Sequence, residues 1–510
     1  MSPVSETDVR PIDLEDLDLD AFAGRPVAVL GLARSGVALA RFLSDRGAQV
    51  TVYDGRSAEE LRDALESLDG RPVRAVLGPQ ADPRGALTGQ ALVTTSPSIN
   101  SRYPTTEPRL RSALAELEAA GRVPVISEVD LFLRLCPAPV VGVTGTKGKT
   151  TTSSLSAAVL RAGGHPTMLG GNIGTPLVEA LPELTAAHRV VLELSELQLP
   201  TLSRGALVAV YTHVTADHLD RHGTLEAYRA VKRRLAELVP ADGALVINAE
   251  DPVTSAYGPS AAGAALVRYR RSAPEAAGEV GTDSGWIVAD GVPRLDVAGR
   301  GTAMTGPGGR VMPLDEITLP GAHSVSNVLA AVAAGLLMGV APDAIRRGVA
   351  GFRGVEHRLE TVAEIDGVRF VNDSMGTQPD AVVAALRSFD QPLVLIAGGR
   401  AKDLAIDDLA AAVAERASAA VLIGESGADL GVAFRRAGLG HTETAADLDA
   451  AVARADAIVR ERFAAGEPGP GTVLLSPAAA SFDMFADYAA RGRAFKLAVA
   501  ALARDREGQP

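Results

Sequence analysis

The chain's 510 residues leave room for about three domains, and 47% hydrophobic against 22% charged residues is ordinary for soluble globular protein. A formal charge of -12 argues against a nucleic-acid partner, which wants a basic surface, although a local cradle of N–H groups and one lysine still suffices for a small anion. A single cysteine, Cys136, excludes an internal disulfide and a cysteine-rich metal centre, and the absence of a basic-then-apolar leader or a long apolar run makes a cytoplasmic protein without membrane insertion the expectation.

Residues 1–22, with the run Asp13 to Asp20, read as a mobile acidic lead-in. The apolar run Pro26-Val-Ala-Val-Leu30 predicts the first strand. Gly31-Leu-Ala-Arg-Ser-Gly36 then turns into a helical pattern to about Arg46, and Gln49-Val-Thr-Val-Tyr53 ends at Asp54, completing a βαβ unit. Ala91-Leu-Val-Thr-Thr95 predicts a later strand of the same sheet, and the two prolines of Cys136-Pro-Ala-Pro139 predict a linker. Val140-Val-Gly-Val143, Arg189-Val-Val-Leu-Glu193, Val208-Ala-Val-Tyr-Thr212 and Gly243-Ala-Leu-Val-Ile-Asn248 are short apolar runs separated by helical stretches, the pattern of a mostly parallel second sheet. The Gly- and Ala-rich residues 258–310 predict a peripheral insertion with isolated strands such as Gly285-Trp-Ile-Val288, after which a helix from Ser326 to Leu337 closes the domain. Val368-Arg-Phe-Val371, Leu393-Val-Leu-Ile396, Ala420-Val-Leu-Ile423 and Thr472-Val-Leu-Leu475 alternate with Ala-rich helices and predict a further doubly wound sheet.

The most specific local signal is Gly142-Val-Thr-Gly-Thr-Lys-Gly-Lys-Thr-Thr-Thr152, placed between a strand and a helix. Glycines there let backbone N–H groups converge on phosphate oxygens at a helix N-terminus, with Lys149 to neutralise the β- and γ-phosphates and the Thr150 hydroxyl to reach Mg²⁺. Val143 stands where a standard phosphate loop has its first glycine. The competing reading is a turn that merely packs strand on helix.

Gly145-Thr-Lys-Gly-Lys-Thr150 resembles the nucleotide loop of the Mur ligase family and of folylpolyglutamate synthases, and later motifs extend the resemblance from about residue 25 to about residue 500. It implies an α/β fold of three doubly wound domains: a Rossmann-like UDP-substrate domain over 23–137, a P-loop ATPase-like domain over 138–356, and a Rossmann-like glutamate-binding domain over 357–510. It also implies a monomer that uses ATP and Mg²⁺, two ions in the family, to activate a carboxylate as an acyl phosphate for attack by an amine. ATP would then lie on Gly145, Thr146, Lys147, Gly148, Lys149, Thr150 and Thr151. Gly321-Ala-His-Ser-Val-Ser-Asn327 resembles the family's His-Asn-x-x-Asn helix start, putting Asn327 at the adenine, with Ser324 replacing the first Asn. Glu356-His-Arg-Leu359 puts Arg358 on ribose or phosphate. Asn372-Asp-Ser-Met-Gly-Thr377 puts Asp373 on the ribose, with Met375 where the family often has Lys.

Glu193-Leu-Ser-Glu-Leu-Gln198 resembles the family's Glu-Leu-Ser-Ser-Phe-Gln metal motif, departing at Glu196. It implicates Glu193 in Mg²⁺ binding with Thr150; the bland reading is a strand-end carboxylate that caps the next helix. His218, in Thr215-Ala-Asp-His-Leu-Asp220, matches the histidine at the second Mg²⁺, and Lys232 matches a lysine that the family carbamylates to give Mg²⁺ an oxygen donor. Read without the resemblance, Lys232 is a solvated helix lysine. Asn172, in Gly171-Asn-Ile-Gly174, joins Ser195 and Gln198 as substrate contacts on the same ground.

Gly31-x-Ala-x-x-Gly36 with Asp54 downstream imitates a dinucleotide fingerprint. In the Mur ligase family this crevice takes UDP, which implicates Leu32, Ala33, Arg34, Ser35, Asp54, Gly55 and Arg56. Ser98, in Ser96-Pro-Ser-Ile99, joins them where the family commonly has Gly. Ile126-Ser-Glu-Val-Asp130, Gly398-Gly-Arg-Ala-Lys-Asp403 and Ser476-Pro-Ala-Ala-Ala-Ser-Phe-Asp-Met-Phe485 resemble the glutamate-adding branch. There Thr377, Lys402, Ser481, Phe482 and Tyr488 would hold the amino acid's two carboxylates. The implied substrates are UDP-N-acetylmuramoyl-L-alanine and D-glutamate; L-glutamate or another Mur-type substrate stays open, because chirality is not written in motifs. An NAD-dependent dehydrogenase leaves the phosphate loop, Glu193 and His218 without work, and a non-catalytic ATP-binding regulator has no need of the loop–Glu–His–Lys set.

Overall fold

A computed structural model describes residues 9–507 except 104–105, 175, 218, 262, 297–298, 302–304, 306–307, 320, 390–391 and 401–405; His218 and Lys402 therefore lie outside the described residues. The chain divides into two compact units, Met1–Phe352 and Arg353–Pro510.

The first unit opens with a five-stranded, all-parallel sheet of β1 (Pro26–Leu30), β2 (Gln49–Asp54), β3 (Val73–Leu77), β4 (Leu92–Thr95) and β5 (Val125–Ser127), in the order β3-β2-β1-β4-β5. Strand order reverses beside β1, so a crevice opens at the carboxyl ends of β1 and β4, the usual ligand position in such sheets. β1 has no alternating polar face because helices or loops cover both of its sides: Val27 to Leu30 are wholly buried. Gly36, in the first turn of the helix Arg34–Asp45, is obligatory, since a Cβ there would lie 1.7 Å from the Gly31 carbonyl oxygen.

Residues 9–22 differ from the expected mobile lead-in. Ile12 and Phe22 are buried, the Ile12 N–H donates to the Ala91 carbonyl (2.9 Å), and Arg134 donates to the Leu14 carbonyl (2.8 Å). Apolar residues spaced among the carboxylates anchor the segment, a pattern that charge counting alone overlooks.

The same unit holds a second sheet of β6 (Val140–Thr144), β7 (Thr167–Gly171), β8 (Arg189–Glu193), β9 (Val208–Tyr211), β10 (Ala244–Asn248), β11 (Ala265–Tyr269), β12 (Glu279–Asp283) and β13 (Trp286–Asp290). A separate ribbon of β14 (Arg294–Asp296) and β15 (Gly299–Gly301) follows, and β16 (Gly309–Pro313) returns to the sheet, whose order is β16-β13-β12-β11-β10-β9-β6-β8-β7. Pairing is parallel from β12 to β7 and antiparallel at β12/β13 and β13/β16. The expected peripheral insertion is thus an extension of the central sheet: Val280, Ile287, Ala289 and Met312 bury in one core with the helix Ala322–Leu337. Asp130, wholly buried in the helix Glu128–Leu135, fastens the segment after the second sheet's β8. It accepts from the Ser203 N–H (2.7 Å), the Ser203 hydroxyl (2.6 Å) and the Arg204 N–H (3.1 Å).

The second unit has a six-stranded sheet of β17 (Glu360–Ile365), β18 (Val368–Asn372), β19 (Leu393–Gly398), β20 (Ala419–Ile423), β21 (Thr442–Thr444) and β22 (Gly471–Leu475). The order is β17-β18-β22-β19-β20-β21, parallel except at β17/β18. The predicted α/β class with parallel-rich, helix-covered sheets is what the chain forms.

Candidate active site

β6 ends buried at Thr144, and the chain turns through Gly145 (φ 149°) and Gly148 (φ 86°) into the helix Lys149–Ala162. Neighbours enforce both glycines: a Cβ at 145 would lie 2.0 Å from Thr212 Oγ1, and one at 148 would lie 2.5 Å from Asn327 Oδ1. The loop is braced against residues that follow β9. The Thr146 N–H donates to the His213 carbonyl (2.6 Å), Thr212 Oγ1 donates to the Lys147 carbonyl (2.6 Å), and Thr146 Oγ1 lies 2.9 Å from the Tyr228 hydroxyl. Lys149 Nζ donates to the Thr146 carbonyl at 3.0 Å, which curls the ammonium over the loop. Thr150 is buried, Thr151 half-buried and Lys147 exposed. Such a fixed loop at a helix N-terminus is a seat for phosphate. Beside it lies a cavity of about 430 Å³ lined by Gly148, Thr212, Asn248, Tyr269, His323 and Asn327, large enough for a nucleoside. Asn327 is held by the Thr152 hydroxyl (3.3 Å), and Ser324 is buried.

Glu193 ends β8 with 1% of its surface exposed. Oε1 accepts from Asn172 Nδ2 (2.8 Å), while Oε2 is buried with no hydrogen-bond partner. A buried carboxylate oxygen left without a donor calls for a cation. It is not the helix cap of the bland reading, because its bonded oxygen takes a side-chain amide. The Asn172 N–H also donates to the Glu193 carbonyl (2.8 Å), and Gly171 (φ 95°) has no room for a Cβ, which would meet that carbonyl oxygen at 2.3 Å. The Gly171-Asn-Ile-Gly174 turn is therefore folded onto Glu193. Ser195 and Gln198, expected to touch substrate, are buried and bonded to each other: Ser195 Oγ lies 3.0 Å from Gln198 Oε1, closing the turn after β8.

Lys232 is no solvated lysine. It is wholly buried on the helix Leu225–Glu237, with Nζ 3.5 Å from Thr144 Oγ1 and 5.5 Å from the centroid of the Tyr228 ring. Burial first, and repulsion from Lys149 second, push its ammonium down to about 7. Tyr228, which binds Thr146 and lies under Lys232, was missed in the sequence. Its signal was the four-residue spacing to Lys232, one helical face. The ion pair of Glu196 with Arg221 (2.7 Å) was missed as well.

At the first sheet, a cavity of about 470 Å³ is lined by Gly31, Tyr53, Asp54, Gly55 and Arg56 among others. Asp54 is buried and organises it. Oδ2 accepts from the Leu32 N–H (2.9 Å) and Arg56 Nη2 (2.8 Å), and Oδ1 accepts from the Arg56 N–H and Nε (3.0 Å each). Burial works to raise its pKa, but the Arg56 guanidinium and the two backbone N–H groups outweigh it and hold the carboxyl below its ordinary value. Leu32 is buried and contributes its N–H; Ala33, Arg34 and Ser98 are exposed, and Ser35 and Gly55 half-buried. Arg34 Nη1 donates to the Gly174 carbonyl (3.2 Å), so contacts run from this crevice through the Gly171–Gly174 turn to Glu193.

In the second unit, Asp373 and Thr377 follow β18, and Ser481, Phe482 and Tyr488 follow β22, all at the carboxyl ends of adjacent parallel strands. Asp373 is buried, accepts from the Ser476 hydroxyl (2.6 Å) and the Leu359 N–H (3.2 Å), and is pushed up to about 6 by that burial. Thr377 and Tyr488 are half-buried, Ser481 is buried, and Phe482 and Arg358 are exposed. Among the described residues no cluster of three His, Cys, Asp or Glu side chains stands ready for a metal. Mg²⁺ at a triphosphate needs only one or two carboxylates plus phosphate oxygens and water, so Glu193 with its unpartnered oxygen fits that ion.

A braced phosphate loop and a strand-end carboxylate on a parallel sheet place the protein among nucleotide-using α/β proteins. Two family models match it, the Mur ligase middle domain over residues 143–335 and the Mur ligase, glutamate ligase domain over residues 357–479. The UDP-N-acetylmuramoylalanine–D-glutamate ligase of Symbiobacterium thermophilum is 40% identical over 483 residues, covering 93% of this chain and 98% of that one. The ligase of the same name from Roseiflexus sp. is 40% identical over 493 residues, with the same coverage of 93% and 98%. Among solved structures, UDP-N-acetylmuramate-alanine ligase MurC from Thermotoga maritima aligns with a TM-score of 0.51 at 17% identity, over 94% of this chain and 100% of that one, a likeness of fold. The chain belongs to the Mur ligase family.

Proposed function

We propose that this protein is the ATP-dependent ligase that joins D-glutamate to UDP-N-acetylmuramoyl-L-alanine, through an acyl phosphate and with release of ADP and phosphate, in peptidoglycan precursor synthesis. The observation that carries this reading is 40% identity along 98% of a relative named for that reaction. We divide the chain into a UDP-substrate domain over 23–137, an ATP domain over 138–356 and a glutamate domain over 357–510, working as a cytoplasmic monomer. Among the described residues no helix is long and apolar enough to cross a membrane.

In this reading the UDP moiety occupies the crevice organised by Asp54, with Arg34 and Ser35 opening a helix toward the diphosphate and Leu32, Ala33, Gly55, Arg56 and Ser98 around it. Asn172 reaches the substrate's acyl end, and Ser195 and Gln198 shape the turn beside it. The triphosphate rests on Gly145 to Thr151, whose N–H groups and Lys149 hold it in line with the L-alanyl carboxylate. Asn327 takes the adenine, and Arg358 and Asp373 take phosphate and ribose. Mg²⁺, when bound by Glu193 and Thr150, with His218 and a carbamylated Lys232 at a second ion, would neutralise charge between carboxylate and triphosphate. The γ-phosphoryl group moves to a carboxylate oxygen; the glutamate nitrogen then forms the C–N bond as the C–O bond to phosphate breaks. The ammonium of glutamate must first lose a proton, which we assign to His218. Thr377, Lys402, Ser481, Phe482 and Tyr488 hold the two carboxylates.

The test is phosphate release from the purified protein with ATP, Mg²⁺ and UDP-N-acetylmuramoyl-L-alanine, in parallel with D-glutamate, L-glutamate and neither. Turnover with D-glutamate alone supports the reading; turnover only with L-glutamate reassigns the amino-acid pocket, and turnover with neither overturns it.

A further inference from the structure

The second unit buries one guanidinium that no step above uses. Arg491, on the helix Tyr488–Glu507, is 1% exposed. Among the described residues it makes no ion pair within 4 Å; its partners are the backbone and one hydroxyl. Nε donates to Ser374 Oγ (3.0 Å), Nη2 to the Ser374 carbonyl (3.0 Å), and Nη1 and Nη2 both to the Ala479 carbonyl (3.2 Å each). Ser374 Oγ in turn donates to the Tyr488 carbonyl (2.7 Å). Burying an unpaired cation is costly, so its retention asks for a reason beyond packing.

The reason lies in what the guanidinium joins. Ser374 belongs to the loop after β18 that carries Asp373 and Thr377; Ala479 belongs to the loop after β22 that carries Ser481 and Phe482. A third loop closes on the same group. Gly399, after β19, has φ 146°, and a Cβ there would lie 2.2 Å from the Ala480 carbonyl oxygen and 3.2 Å from Arg491 Nη1. The Arg400 N–H donates to that same Ala480 carbonyl (2.9 Å). The β22 loop is held out of relaxed geometry at this point, since Ala478 sits at φ 57°. Two other bonds tie the first two loops, Ser476 to Asp373 (2.6 Å) and the Ala478 N–H to the Gly376 carbonyl (2.8 Å). Of the ties between the first two loops, Arg491 is the one that reaches Ala479, two residues before Ser481, while the Arg400 N–H holds Ala480. A planar, five-donor group holds two carbonyls and a hydroxyl at spacings set by its rigid fork, whereas an ammonium's three donors radiate from a single atom on a flexible stem.

We propose that Arg491 is a positioning residue for the amino-acid substrate: it sets the spacing between the Thr377 loop and the Ser481 loop, and with it the fit to the two carboxylates of glutamate. The inference rests on the assignment of those loops to glutamate. The test is steady-state kinetics of the full chain in Arg491→Met, Arg491→Lys and Ser481→Ala variants, with KM measured separately for glutamate, ATP and the UDP substrate. Arg491→Met raises KM for glutamate on the order of tenfold or more, as expected when loops shift by a fraction of an ångström, and leaves KM for the UDP substrate within about twofold. Arg491→Lys falls between, and in a further variant, Arg491→Ala, added guanidinium but not added ammonium restores the glutamate KM. If Arg491→Met does not fold, Ser374→Ala carries the same expectation at smaller magnitude. A uniform rise in all three KM values, or lower thermal stability with unchanged kinetics, makes Arg491 a structural residue only and overturns the inference. If Ser481→Ala leaves KM for glutamate unchanged, the assignment of the loops has failed and the inference falls with it.

Discussion

Replacing Lys232 by methionine should make the first unit more stable, although it removes a residue of the proposed active site. The side chain is wholly buried, and its ammonium is pushed down from 10.5 to about 7. At about 1.36 kcal/mol for each unit of pKa, that displacement amounts to about 5 kcal/mol by which folding disfavours the charged form. The folded value lies below the unfolded one, so the native state binds the proton less readily. Stability therefore rises with pH between about 7 and 10.5, and the whole penalty is present below 7. Methionine keeps the length and apolar bulk without the charge. The variant should gain several kcal/mol at pH 6 and nothing near pH 10.5. Trp286, the chain's single tryptophan, sits on β13 in the same unit, so urea unfolding in carbonate-free buffer can be followed by its fluorescence. A variant less stable than the parent at pH 6, or a difference that does not shrink as pH rises, would refute the buried-ammonium argument. In the same experiment turnover should vanish, and Lys232→Ala should regain part of it in added short-chain carboxylic acids if a carbamate is the working form.

Glu193→Gln keeps the Asn172 contact but discharges the unpartnered oxygen; kcat should fall on the order of a hundredfold or more, and the Mg²⁺ concentration for half-maximal rate should rise. Full activity at ordinary Mg²⁺ would remove Glu193 from the metal site. Asp54→Ala frees Arg56 and the Leu32 N–H, so KM for the UDP substrate should increase while KM for ATP holds; equal changes in both would mean that Asp54 serves the fold alone. Asp373 is raised from 3.8 to about 6, about 3 kcal/mol against its charged form. Because the folded value is the higher one, the stabilising share is complete below about pH 4 and is lost as pH rises through 6. Asp373→Asn should therefore slow hydrogen exchange in β18 and β22 at pH 8, and raise KM for ATP; unchanged exchange would count against the burial argument.

The parallel cores were legible in the sequence because strands buried on both faces are unbroken apolar runs. Val140 to Val143 and Val208 to Tyr211 could hardly be anything else. Within 258–310 only β13 was legible, through Gly285 to Val288; β12 and β16 were not, since they lie at a sheet edge, pair antiparallel with β13 and are separated by glycine-rich turns. Motifs placed the phosphate loop and Glu193, yet the Asn172–Glu193 bond depends on the register that sets Gly171 opposite Glu193, and register is a tertiary property. Arg491 was invisible for a simpler reason: an arginine on a C-terminal helix reads as solvated until the loops that cover it are known.

In the proposed site, Lys232 must be buried to be useful. An amine reacts with carbon dioxide only when it is unprotonated, and a solvated lysine near 10.4 is almost wholly charged at neutral pH. Packing Lys232 against Tyr228 and Thr144, with Lys149 near enough to repel a second positive charge, brings the neutral form within reach at pH 7. Under the proposed mechanism, carbamylation would then convert a group that opposes a divalent cation into a hard oxygen donor of the same sign as Glu193. Exposing Lys232 would restore its ordinary basicity and close that route without touching a single phosphate contact. On the proposed reading, the buried setting of Lys232 therefore belongs to the chemistry as much as the phosphate loop does.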